Sequence, residues 1–198
     1  METKRIVFVG VGGQGNILAS RLVGEACMAA GIPAVVSEIH GMAQRGGIVE
    51  TDVVIGDATS PIVSMGEADV LIGFEPSETL RALNKCNENT VVITNAHPLQ
   101  PFTVAIGQGT YPDIDEALQL IKSRVRSLIS LQGNELAEKA GNPLSLNMIM
   151  LGALIGSKAI ELGEDVIKET IAKSTKQAFL EANLKAFDLG LESAKVMV

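Results

Sequence analysis

The chain has 198 residues, 46% hydrophobic and 20% charged, with 16 basic against 23 acidic side chains and a formal net charge of −7. That length suits a single domain (residues 1–198) able to bury about 70% of the surface its unfolded form exposes, so folding requires neither disulfide nor metal. Two cysteines, Cys27 and Cys86, are too few for an iron–sulfur cluster or a structural zinc, and an acidic balance with one tyrosine and no tryptophan argues against a nucleic-acid partner.

The N-terminus enters an apolar run at Ile6 with no signal-peptide succession. The longest apolar stretch, Leu144 to Ile155, is broken by Ser145 and Asn147 and is too short to span a bilayer. A cytoplasmic protein with no membrane partner is the expectation. The positive mean hydropathy of +0.29 asks for a large core or a covered surface.

Short β-branched runs bounded by glycine, proline or asparagine predict strands over 5–9, 34–38, 48–55, 70–73, 90–94 and 103–106, with a last one over 127–131. Between the first two, Gly15 to Ala30 reads as a helix with Ile17, Leu18, Leu22, Ala26 and Ala29 on one side, stopped by Gly31 and Pro33. The loop from His40 to Gly47 is too short for a crossover helix, so the strand that follows must run antiparallel to a neighbour. Beyond residue 107 helices are predicted over 113–127, 134–140, 145–162, 164–174 and 176–189. The last repeats Phe179, Ala182, Asn183, Ala186 and Phe187 at spacings of three and four, a face that must be covered. The expected fold is α/β and Rossmann-like: a largely parallel sheet with helices on both faces (residues 1–131) and a helical C-terminal extension (132–198).

Three stretches can carry chemistry. Gly10, Gly12 and Gly15, with Gly13 and Gln14 between them, fit G-x-G-x-x-G after a strand and opening a helix, and Glu38 ends the next strand. Such a turn lets backbone amides approach a pyrophosphate while the carboxylate takes a ribose hydroxyl, though it also serves where helix and strand merely pack closely. The loop from Glu38 to Gly47 gathers His40, Gln44, Arg45, Gly46 and Gly47; a guanidinium among exposed amides suits an anion. His40 and Arg45 are candidates for supporting roles, but a lone histidine without a paired nucleophile gives no confident catalytic residue. Cys27 reads as a small core residue, and Cys86 lies near a helix end. No metal motif, G-x-S-x-G or Walker lysine is present. The third stretch, Asn142 to Ile155, is apolar nearly all round, with Met148, Met150, Gly152 and Gly156 available for close packing. It reads as a buried helix, with a subunit contact as the other option.

Gly10-Val-Gly-Gly-Gln-Gly-Asn-Ile-Leu-Ala-Ser20, Ser37-Glu-Ile-His-Gly-Met-Ala-Gln-Arg-Gly-Gly47, Gly141-Asn-Pro143 with Asn147-Met-Ile-Met-Leu-Gly-Ala153, and Glu181-Ala-Asn-Leu-Lys-Ala-Phe-Asp-Leu-Gly190 together resemble the gamma-type subunit or domain of the 2-oxoacid:ferredoxin oxidoreductases. The His40–Gly47 loop resembles the beta subunit of the indolepyruvate branch. The resemblance implies oxidative decarboxylation of an aryl 2-oxoacid with coenzyme A, yielding an acyl-CoA, carbon dioxide and reduced ferredoxin. It places thiamine diphosphate and the iron–sulfur clusters on a large alpha subunit, two copies of each chain forming the complex. On this reading Gly12, Gly13, His40, Gln44, Arg45 and Gly47 close over the partner's active site or hold the anionic part of coenzyme A. An apolar face on the C-terminal helices or around the His40 loop then meets the large subunit. A self-sufficient NAD(P)-binding oxidoreductase and a non-catalytic nucleotide-binding scaffold are the competing readings.

Overall fold

The computed structural model describes residues 2–40, 47–101, 104 and 106–196, His40 by its backbone alone. The strands are β1 (Lys4–Val11), β2 (Ala34–His40), β3 (Ile48–Ile55), β4 (Ala68–Gly73), β5 (Cys86–Asn95) and β6 (Ser127–Leu131). The helices are α1 (Asn16–Ala29), α2 (Pro76–Arg81), α3 (Ile114–Lys122), α4 (Gly133–Ala140), α5 (Leu146–Gly156), α6 (Glu164–Ser174) and α7 (Gln177–Lys195).

These strands form one sheet in the order β2-β3-β1-β4-β5-β6. β1, β4, β5 and β6 pair in parallel, whereas β3 is antiparallel to both β1 and β2. The short loop before β3 thus has the consequence expected of it, and the other five strands share one direction. Helices cover both faces. Alternate residues of β1 divide the core: Ile6 and Phe8 join α1 and α4 to α7 on one side, while Val7 and Val9 join α2 and α3 on the other.

Two sequence expectations fail locally. The strand expected over 103–106 is not formed by its described residues: Val104 is helical, its N–H bonded to the Pro101 carbonyl, and Ile106 lies in a turn. The buried side of α1 is Ala19, Leu22, Val23, Ala26 and Cys27, with Ala29 exposed and Ile17 and Leu18 half-buried, because the helix is wedged between the sheet and α6 rather than laid on the sheet alone. α2 was expected only as the helix end read near Cys86, without bounds. It starts on Glu75, whose carboxylate accepts the Glu78 N–H at 2.9 Å, with Pro76 in the first turn.

Every residue of α5 is buried, which answers the core-or-interface choice in favour of core. α5 and α7 meet backbone to backbone. A Cβ at Gly152 would fall on the Phe187 carbonyl oxygen, and one at Gly190 on the Ile149 carbonyl oxygen. The reciprocal glycines let two apolar helices approach with no side chain between them. On α7, Ala186 and Phe187 are covered as the spacing requires, but Phe179 is 51% exposed.

Candidate functional site

The chain leaves β1 toward β2 on one side and re-enters the sheet at β4 on the other, so a crevice opens at the carboxyl ends of β1 and β4. Ligand sites of open α/β sheets lie at such a reversal. One wall is the glycine turn. Gly13 (φ +103) and Gly15 (φ +84) adopt backbone conformations natural only to glycine, and a Cβ at Gly15 would press on Asn147 at the start of α5.

The turn is fastened from inside. Gln14 folds back so that its Oε1 accepts the Val11 N–H at 2.8 Å and its Nε2 donates to the Phe74 carbonyl at 3.0 Å. Gly10 has no room for a side chain because Gln14 and Phe74 fill that space. Asn16 Nδ2 donates to the Val49 carbonyl, and the Gly12 N–H donates to the Gly47 carbonyl, each at 2.9 Å. On the outward side, no described residue stands within 4 Å of a Cβ built on Gly13, and no described side chain caps α1. Its first amides therefore face outward at the positive end of the helix dipole.

Across the crevice a polar network, not anticipated from the sequence, holds the ends of β4, β5 and β6 together. Asn95 Nδ2 donates to the Phe74 carbonyl and to Asn134 Oδ1, both at 3.0 Å, and Asn95 Oδ1 accepts the Gly133 N–H at 3.0 Å. Glu75, almost fully buried, accepts the Tyr111 hydroxyl. Burial, and then that hydrogen bond to Glu75, pushes the Tyr111 phenol well above its ordinary range. Burial also raises Glu78, against the pull of Arg81. The one available signal was position, since Phe74, Glu75 and Asn95 close or follow parallel strands.

Gln44, Arg45, Gly46 and the side chain of His40 lie outside the described residues; Gly47, which closes that loop, meets the glycine turn at Gly12. Glu38 stands elsewhere. β3 intervenes between β2 and β1, and Glu38 is level with Thr51 and so with Phe8, two residues below Gly10. The carboxylate's strand is thus about 10 Å to the side, and its position about 7 Å down the sheet, from where a dinucleotide's ribose contact belongs. The NAD(P) reading loses its second anchor.

Nor do the residues fit an iron–sulfur cluster. Cys27 lies on the α1 face of the sheet and Cys86 packs with the core of the other face. Burial pushes both thiols up to about 11. No group of three or more potential metal ligands occurs among the described residues, and no helix among them is long and apolar enough to cross a membrane.

Apolar surface flanks the turn. On one side a cavity of about 260 Å³ is lined by Leu18, Leu144, Met148 and Phe179, with Leu144 84% exposed. On the other, Ile39 and Ile48 are exposed on β2 and β3.

A family model described as "Pyruvate ferredoxin/flavodoxin oxidoreductase" matches residues 5–193. The chain belongs to this family. Indolepyruvate oxidoreductase subunit IorB of Archaeoglobus fulgidus is 40% identical over 189 residues, covering 96% of this chain and 94% of its own length. The keto/oxoacid ferredoxin oxidoreductase gamma subunit of Geobacter sulfurreducens superimposes with a TM-score of 0.73 at 23% identity, covering 98% of this chain and 99% of that one. The 2-oxoglutarate:ferredoxin oxidoreductase of Magnetococcus marinus, solved with 2-oxoglutarate, coenzyme A and succinyl-CoA bound, matches with a TM-score of 0.77 at 22% identity over 100% of this chain and 32% of its own. The pyruvate ferredoxin/flavodoxin oxidoreductase fold thus occurs both as a separate subunit and as part of a longer chain. Within it, Gln14 is expected to hold the glycine turn: Gln14→Ala strands the Val11 N–H and should lower stability by about 2 kcal/mol, or roughly 5 °C in a thermal melt.

Proposed function

We propose that the chain is the cluster-free subunit of an indolepyruvate:ferredoxin oxidoreductase. In that reaction an aryl 2-oxoacid and coenzyme A give an acyl-CoA and carbon dioxide while electrons pass to ferredoxin. The end-to-end 40% identity to an indolepyruvate oxidoreductase subunit carries the reading. A large partner subunit supplies the thiamine diphosphate and the clusters, in keeping with cysteines set on opposite faces of this sheet.

The contribution of this chain follows from its crevice. The glycine turn is fastened inward and no described side chain caps it outward, which favours an anion at Gly13 and the first amides of α1, beside the Gly12–Gly47 hydrogen bond. Arg45, in the loop closed by Gly47, adds a charge-assisted donor at that end, so the turn and loop hold the anionic part of coenzyme A. The apolar surface around the turn, through Leu144 and Phe179 on one side and Ile39 and Ile48 on the other, is the face covered by the large subunit in a complex with two copies of each chain.

Co-expression with the large subunit tests the activity: indolepyruvate- and CoA-dependent reduction of ferredoxin should require both chains, and a preference for pyruvate or 2-oxoglutarate would sink the assignment. In that complex Arg45→Ala should raise the KM for coenzyme A about tenfold, the loss of one charged hydrogen bond. Unchanged kinetics with unchanged co-purification would refute the role given to the loop.

A further inference from the structure

At the opposite, amino-terminal edge of the sheet, a cavity of about 280 Å³ opens between the start of β6 and the turn after α5. Val91, Ile129 and Ala159 form its apolar wall, and Arg126, Ser157 and Lys158 its polar rim. The rim is rigid. The Arg126 N–H donates to the Thr90 carbonyl at 3.0 Å, and Ser157 Oγ donates to the Leu154 carbonyl at 2.7 Å while accepting the Ala159 N–H at 3.2 Å.

Lys158 is the informative residue. It follows the cap of α5 with φ +56, the sole non-glycine with positive φ among the described residues. Glycine ordinarily fills that position, because a side chain there costs about 1 kcal/mol. A cation at the end of a helix suits the dipole from any position of the last turn, so the dipole alone does not require the strained one. What this position adds is an ammonium on the rim of the cavity beside Arg126. Neither cation forms an ion pair within 4 Å among the described residues. Lys122 and Arg124, exposed and likewise without an ion pair there, add to the positive field in a chain of net charge −7. Two exposed cations beside an apolar wall focus that field on whatever enters.

The geometry points to a binding site for a small carboxylate with an apolar body, its carboxylate between Arg126 and Lys158 and its body against Val91, Ile129 and Ala159. The site lies at the far end of the sheet from the glycine turn and does not rest on the function proposed for that turn. The cavity is below the range that holds drug-sized ligands, which limits the body to a branched chain or a single ring.

Calorimetric titration of the full chain with phenylacetate, and separately with inorganic phosphate as an anion lacking an apolar body, tests the assignment. Phenylacetate should bind saturably, at least tenfold more tightly than phosphate, and both Arg126→Gln and Lys158→Gly should weaken it at least tenfold. Lys158→Gly should melt at or above the wild-type temperature, since glycine relieves the strained φ, so its loss of binding cannot be ascribed to unfolding. Absence of saturable phenylacetate binding, affinity untouched by both substitutions, or phosphate binding as tightly as phenylacetate would each overturn the site.

Discussion

Substituting alanine for Gly152 or Gly190 is expected to lower the thermal midpoint by on the order of 10 °C, and Gly190→Val to leave no folded protein in the soluble fraction. At both positions the obstructing atom is a backbone carbonyl oxygen of the facing helix, Phe187 for Gly152 and Ile149 for Gly190. A backbone cannot rotate aside as a side chain can. The two helices must separate along their contact, opening space around Met148, Leu151 and Leu191. Gly163→Ala is the control: its new methyl meets only a Val166 methyl at 3.8 Å, and φ is −67°. Differential scanning calorimetry of the three alanine variants checks this, and a Gly190→Ala protein melting within about 2 °C of wild type would show that the contact yields.

The second large effect is expected at Lys85. Its ammonium lies 2.5 Å from Glu50 Oε1 and 3.4 Å from Asp52 Oδ2. Asp52 is fully buried; its Oδ2 also accepts the Val63 N–H, while its Oδ1 has no partner among the described residues. Lys85→Met leaves two carboxylates facing each other with one in the core, and should destabilise by about 3 kcal/mol near neutral pH. The pH dependence has a definite sign. Burial raises Asp52 above its ordinary range, against the opposing pull of Val63 and Lys85. A carboxyl whose folded pKa is raised contributes most below its unfolded value, and that contribution is lost as pH rises through the folded one. Removing the ammonium raises Asp52 further, so the deficit should shrink as pH falls toward the carboxylate range. Urea denaturation at pH 7 and pH 4.5 measures it; a deficit equal at both would mean that Asp52 is not the affected group.

Much of the sheet is written in short-range signals. β-branched runs closed by glycine mark β1, β3 and β4, and the eight residues from His40 through Gly47 cannot carry a crossover helix. The composition of 142–155 likewise declares a buried helix, down to the glycine that meets Phe187. What escaped depends on distant partners or on elements too short for a period. α2 has six residues, and its only mark is Glu75 before Pro76. Residues 103–106 look β-branched, but the Pro101 carbonyl draws Val104 into a helical turn. At the crevice the glycine spacing was legible, whereas the inward fold of Gln14 depends on a carbonyl 60 residues away. The antiparallel strand was foreseen without its place in the order, and it is this place, between β2 and β1, that removes Glu38 from the turn.

The wedging of α1 between the sheet and α6 bears on how the chain reaches its fold. Ser174 on α6 bonds Glu25 on α1 across 149 residues, and Asn147 completes the turn at Gly15. Loops of that span close slowly, and the parallel pairs cannot substitute for them. Until α5, α6 and α7 dock, the face of the sheet that carries Ile6, Phe8, Val53 and Ile72 has only α1 and α4 to cover it, and much of it stays in water. Fragments ending before residue 146 should therefore aggregate rather than persist as a smaller folded unit.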